Sequence, residues 1–364
     1  MKRLLLTTLA ALATLSASAA DTHLVYFGTY TGGKTGSKGI YVARFDAASG
    51  KLGEAKLAAE LERPSFLTLH PDGQHLYAVG EISGGAGITA YSIDRSTGLL
   101  TEINQSSAVG EGPCHISLDR TGKMAMIANY GSGSVASYQI RPDGGLSHPV
   151  SFFQHEGSSV NPKRQAGPHA HSINTSPDNR YAYACDLGLD KVLIYKIDPA
   201  KGTLTANEPA FATVAPGAGP RHFAFHPNGK FAFVNNEISM TETTFAYDAE
   251  TGALTEVGTV STLPPEDREK TGLSTAETVA HPNGKFVYVS NRTHDTIAVF
   301  TCDPETGKLT LIQNAKCEGS IPRNFNLDPT ALFSVDQDTG KLSYAGTKID
   351  VGAPVCVRFL AIGE

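Results

Sequence analysis

Apolar and polar positions alternate along most of this chain, in short runs separated by Asp, Asn, Gly and Pro. A period of two marks a strand with one buried face, and Asn-Gly or Asp-Gly steps between such runs mark hairpins. Three kinds of run recur in a fixed order. One is a turn of the form Asp-x-x-[Ser/Thr/Lys]-Gly-x-Leu: FDAASGKL from Phe45, IDRSTGLL from Ile93, IDPAKGTL from Ile197, YDAETGAL from Tyr247, CDPETGKL from Cys302 and VDQDTGKL from Val335, with a looser RPDGGL from Arg141. Asp caps such a turn with its side chain, and Gly takes the positive φ that closes it. Another is a Pro/Asp/Asn/Gly turn followed by a strand: HPDGQHLYAVGE from His70, LDRTGKMAMIANY from Leu118, SPDNRYAYACDLG from Ser176, HPNGKFAFVNNE from His226 and HPNGKFVYVSNR from His281. The third precedes those turns: RPSFLTL, GPCHISL, HAHSINTS, GPRHFAF, STAETVA and IPRNFNL, with APVCVRFL at the C-terminus from Ala353.

Each unit therefore reads as strand A, hairpin, strand B, link, strand C, Asp-Gly turn and strand D. Four antiparallel strands in about 50 residues, repeated seven times, predict an all-β, seven-bladed β-propeller. The first unit has no strand A before it, and the C-terminus supplies an orphan A strand. Pairing of the two closes the ring and removes exposed edges. One unit is short. After Asp328-Pro329-Thr330 the chain passes directly to Ala331-Leu332-Phe333, about 14 residues fewer than the preceding unit, so the last blade is expected to lack strand B and to be three-stranded or distorted.

The N-terminus does not follow the repeat. Met1-Lys2-Arg3 is basic, residues 4–15 are apolar, and Ala17-Ser18-Ala19 has the small-x-small form that a signal peptidase cleaves. Residues 1–19 are thus expected to be a signal peptide and 20–364 a single propeller domain. The apolar run is short for a membrane span. The expected location is periplasmic or secreted, with no membrane anchor after cleavage. The chain has 364 residues and a net charge of −6, which argues against a nucleic-acid partner. Its five cysteines have no metal-type spacing and read as small buried hydrophobes.

The propeller geometry locates a site. Strand A lines the channel, and the start of A and the end of B share one face. Aligning the A strands places Ser65, Cys114, His171, Arg221, Ala276, Arg323 and Val355 at one level. Phe66, His115, Ser172, His222, Glu277, Asn324 and Cys356 fall at the next. The B-strand ends add Glu81, Asn129, Asp186, Glu237 and Arg292. Buried His, Arg and Glu must be neutralised by one another or by a ligand. Arg221, Arg292 and Arg323 converge, and guanidinium pairs bidentately with carboxylate or phosphate, so a small anionic molecule is the expected ligand. His169 and His171 lie on one face at i, i+2 without a carboxylate at fixed spacing, so no metal is expected. The segment from Gly28 to Gly33 precedes no helix pattern and reads as a link, and no Gly-x-Ser-x-Gly elbow is present.

VYFGTYTGG, RPSFLTLHPDG, GPHAHS, GPRHFAFHPNGKFAFVNNE, HPNGKFVYVSNR and IPRNFNLDP together resemble the bacterial 6-phosphogluconolactonase family of seven-bladed propellers, which has fungal muconate cycloisomerase relatives. The resemblance runs from about residue 24 to the C-terminus. It implies a cofactor-independent lactone site at the channel mouth, with His171, Arg221, Glu237 and Arg292 as catalytic residues. His115, His169, His222, Glu277, Arg323 and Asn324 join them as substrate contacts. His171 or Glu237 is the expected base, and Arg221 or Arg292 holds the oxyanion or an anionic group of the substrate. The expected reaction is opening of a sugar lactone. A cycloisomerase acting on a carboxylated muconolactone and a non-catalytic binding propeller are the alternatives.

Overall fold

In the computed structural model, residues 22–33, 36–81, 87–327, 333–346 and 349–362 are described. The leader falls outside them. Strands follow the repeat closely. Blade 2 consists of Pro64–Leu69, His75–Gly80, Ile88–Ile93 and Leu100–Ser106, hydrogen-bonded in that order. Blade 3 has Pro113–Leu118, Met124–Asn129, Ser134–Ile140 and Leu146–Gln154. Blade 4 has Ala170–Thr175, Tyr181–Asp186, Lys191–Asp198 and Thr203–Thr213. Blade 5 has Pro220–Phe225, Phe231–Asn236, Thr241–Tyr247 and Leu254–Ser261, and blade 6 has Ser274–Ala280, Phe286–Arg292, Thr296–Cys302 and Leu309–Lys316.

The ring closes as the sequence predicts. The C-terminal strand Pro354–Ala361 pairs antiparallel with Thr22–Thr29, with His23 opposite Ala361 and Phe27 opposite Val357. Gly39–Asp46 then pairs with Thr22–Thr29 and carries the outer strands Lys51–Leu52 and Lys56–Glu60. The inner strand of blade 1 thus comes from the far end of the chain.

The Asp-Gly turns do more than reverse the chain. Five of them accept a hydrogen bond from a side chain of the preceding blade. Tyr26 Oη donates to Gly98 O at 3.0 Å, Tyr77 Oη to Gly144 O at 2.9 Å, Tyr183 Oη to Gly252 O at 2.8 Å and Tyr288 Oη to Gly340 O at 3.1 Å. The phenols are therefore buried and satisfied, and they tie blade to blade. Gly252 and Gly340 also sit against rings of the preceding blade: a β-carbon would meet Tyr181 at 2.7 Å and Phe286 at 2.2 Å. Blades 3 and 5 have Met126 and Phe233 in place of this Tyr, and in blade 3 Ser137 Oγ instead donates to Gly202 O at 2.7 Å.

The short unit departs further than expected. It keeps one two-stranded sheet, Phe333–Val335 with Leu342–Tyr344, not three strands. Residues 321–327, the A segment, join no strand ladder. Strand B is what would hydrogen-bond A to C, so its loss strands A alone. Packing replaces the missing ladder: Phe325, Leu327, Val335 and Leu342 cover Phe286, Tyr288, Ile297 and Val299 of blade 6. On the other side Ile349 and Val351 pack against Val25, Phe27, Ala43 and Phe45 of blade 1. The described ring is six full blades and a two-stranded seventh. All five cysteines are free, four of them buried.

Candidate functional site

The starts of the A strands and the ends of the B strands meet at one mouth of the channel, joined there by the B–C and D–A links. At its centre is a carboxylate held by three guanidiniums. Arg221 lies at the start of the A strand of blade 5, and Glu237 directly follows the paired B strand. Arg221 Nε donates to Glu237 Oε2 at 3.0 Å. Arg292, at the end of strand B in blade 6, reaches the same oxygen at 3.0 Å, and Arg164 donates to Oε1 at 2.6 Å. Arg221 and Glu237 are almost wholly buried. Burial favours a neutral carboxyl, but Arg221, Arg292 and Arg164 outweigh it and hold Glu237 down at about 2. Burial, together with Arg323 and Arg292, pushes Arg221 down to about 9, so it remains a cation at neutral pH. Arg221 commits Nη1 to Ala276 O, and Arg292 commits Nη2 to Thr275 O at 3.0 Å, which fixes both planes. Buried Nε of Arg292 has no hydrogen-bond partner among the described residues.

Beside this group lie three buried imidazoles. His222 is the hub, with ring centroids 5.5 Å from His171 and 5.3 Å from His115. His222 Nδ1 meets Glu277 Oε1 at 2.6 Å. Glu277 is in turn held by Asn324 Nδ2 and by the Thr278 N–H at 3.2 Å. Asn324 Oδ1 accepts from Val357 N–H at 2.9 Å, which ties the unpaired A segment of blade 7 to the closing strand. Burial and the Arg221 charge push His171 well below its usual range, so it is a neutral imidazole at pH 7. His115 is pushed down well below its usual value by burial and His222, and its Nδ1 accepts the Ile173 N–H at 3.3 Å across two blades. His171 Nδ1 faces Cys114 Sγ at 3.7 Å, and burial raises that thiol to about 12, so it is not a thiolate.

The structure thus brings together His171, Arg221, Glu237, Arg292, His115, His222, Glu277 and Asn324. His169 sits higher on the rim, stacked on Tyr130 at 4.5 Å with Nδ1 against Tyr130 O at 2.9 Å. Arg323 is also at the rim, with its guanidinium 5.4 Å from the Tyr30 ring centroid. Arg164, Tyr130 and Tyr30 belong to the site and were not among the expected residues. They lie near or on links, where the repeat gives no register. Arg358, whose guanidinium lies 4.5 Å from the Phe66 ring centroid, was also missed, though VCVRFL alternates inward through it.

His169 and His171 engage different partners through Nδ1, Tyr130 O and Cys114 Sγ respectively. Among the described residues the clustered metal-type donors are His70, Asp72 and His75, on the opposite face. There His70 Nδ1 accepts the Asp72 N–H at 3.2 Å, as His226 Nδ1 accepts Asn228 N–H at 3.0 Å in the matching turn. These contacts cap a repeated turn.

A propeller with this cluster of Arg, His and Glu at one channel mouth fits one class of protein. The family described as lactonase, 7-bladed beta-propeller matches residues 24–359, and the chain belongs to it. It is 37% identical over 352 residues to a 6-phosphogluconolactonase of Bacillus subtilis, covering 93% of this chain and 98% of that protein. The crystal structure of a putative 6-phosphogluconolactonase from Bacteroides fragilis superposes with a TM-score of 0.85 at 32% identity, covering 96% of this chain and 99% of that one. The periplasmic gluconolactonase of Pseudomonas aeruginosa superposes with a TM-score of 0.86 at 34% identity, covering 93% and 99%. No helix among the described residues is long and apolar enough to cross a membrane.

Proposed function

We propose that this lactonase opens a sugar lactone at the channel mouth, with His171 as base and Arg221 and Arg292 as the oxyanion site. The observation that carries it is the juxtaposition of a neutral imidazole with guanidiniums whose planes are fixed by Glu237 and by backbone carbonyls. Glu237 is ionised but, near 2, is a poor proton acceptor, so its part is to fix Arg221 and Arg292. His171 takes a proton from water as its oxygen attacks the lactone carbonyl. The carbonyl oxygen gains negative charge, which the buried guanidiniums stabilise without reorganising. As the ring C–O bond breaks, the imidazolium returns its proton to the leaving oxygen, and the open hydroxy acid forms. His222, fixed on Glu277, and His115 wall the ring. Asn324 keeps Glu277 in place, and His169 and Arg323 line the entrance. We read the leader as a signal for export of this chemistry to the periplasm or the outside of the cell, and one relative is a periplasmic gluconolactonase.

The test is the product. NMR of a glucono-δ-lactone digest is expected to show the open acid as the product, formed faster than by spontaneous hydrolysis. An isomer of the lactone, or no turnover by folded protein, contradicts the assignment.

A further inference from the structure

We propose that Arg63 and Arg323, gathered on Tyr30, form a subsite for one anionic group of the lactone, a phosphate ester or a carboxylate. This rests on the lactonase reading. Six guanidiniums approach the mouth: Arg63, Arg164, Arg221, Arg292, Arg323 and Arg358, the last committing Nη1 to Val357 O at 2.7 Å and to Asn324 Oδ1 at 3.3 Å. Three of them share Glu237. Of the other carboxylates nearby, Glu277 is taken by His222 and Asn324, and Glu81 accepts the Tyr30 hydroxyl at 2.8 Å. Among the described residues Arg63 and Arg323 make no ion pair, yet both stand over one ring, 4.9 and 5.4 Å from the Tyr30 centroid. Stacking on an aromatic face fixes a guanidinium without neutralising it, and leaves its N–H edge for an oxyanion.

The backbone at Arg63 supports this. The residue before strand A has positive φ in five units: Gly112 at 60° and Gly219 at 69°, and the non-glycine residues Arg63, Ile321 and Ala353. Blade 2 places Arg63 there at 47°, a left-handed conformation that a side chain with a β-carbon disfavours. Its N–H donates to Thr31 Oγ1 at 2.9 Å, and its carbonyl accepts from Glu81 N–H at 3.0 Å. These bonds hold the guanidinium over Tyr30. Arg323 also faces the reacting centre, where its charge disfavours protonation of His171 and Arg221. The substrate is therefore oriented, with its anionic group toward blades 7, 1 and 2 and its carbonyl toward blades 4 to 6.

The experiment compares kcat/KM for D-glucono-δ-lactone, its 6-phosphate ester and the carboxylated D-glucaro-1,4-lactone in the full chain, Arg63→Gln and Arg63→Lys. In Arg63→Gln the ratio of anionic to neutral lactone is expected to fall about tenfold through KM, and Arg63→Lys to restore most of it. The anionic lactone that loses the ratio identifies phosphate or carboxylate as the group bound. An unchanged ratio for both, or a wild-type preference for the neutral lactone, overturns the subsite. If wild type opens no lactone, calorimetry with 6-phosphogluconate and D-glucarate decides: binding that Arg63→Gln weakens keeps the subsite while the lactonase reading fails, and equal or absent binding removes both.

Discussion

Arg221 and Glu237 lie sixteen residues apart on paired strands of one blade and meet at 3.0 Å, both buried, with Arg292 on the same carboxylate oxygen. The A–B hairpin of blade 5 makes that meeting: Pro220 pairs with Asn236 and His222 with Asn235, so Arg221 sits in the bulge between the pairs and Glu237 just beyond them at the mouth. The ion pair is a mould for two guanidiniums.

Arg221→Ala is expected to lower kcat/KM on glucono-δ-lactone at least tenfold, because the lost donor meets the developing oxyanion. Arg221→Lys keeps the charge but not the fork, and is expected to recover only part of the loss. Initial rates across a range of lactone concentrations check this.

Glu237→Gln leaves buried guanidiniums without their carboxylate. A loss of about 3 kcal/mol in denaturant unfolding is expected at pH 7. The pH dependence follows from the depressed pKa. Glu237 contributes stability above its ordinary value of 4.5, and that contribution fades as pH falls toward 2. The gap between wild type and variant should therefore narrow between pH 4.5 and 2.

Burial lowers the pKa of His171, so the imidazole stays neutral to more acidic pH than a free one, whose value is 6.5. The acid limb of kcat/KM is expected below pH 6.5, and to vanish with the residual activity in His171→Ala. An acid limb above 6.5 would exclude this base.

Truncation after Gly352 removes the strand that pairs with Thr22–Thr29 and buries Val355, Cys356 and Leu360. The shortened chain is expected to be insoluble or to unfold without a cooperative transition, since blade 1 is left with an open inner edge. Circular dichroism melts of the two chains decide this.

The repeat made the fold legible. Once the Asp-Gly turns, the HPNG turns and the strands before them were aligned, ring closure through residue 353 onward followed, and so did the level that gathers His171, Arg221 and Arg323. The A and B strands have a fixed register, which is why Glu237 and Arg292 were found by position. Links have none, so Arg164 and Tyr30 carried no signal, although Arg164 is the third guanidinium on Glu237 and Tyr30 is the ring under Arg63 and Arg323. The short blade was read as lacking strand B, but pairing is cooperative between neighbours, and the loss of B also freed residues 321–327 from any ladder. That Glu237 serves three guanidiniums, and so is a poor base, depends on distances that residue types do not carry.

The most direct test is acid release from glucono-δ-lactone, followed by pH-stat, for the purified protein and for Arg221→Ala. Release well above the spontaneous rate, and lost in the variant, is the predicted result. Equal rates in the two proteins, or none above the spontaneous rate with both folded, would contradict it.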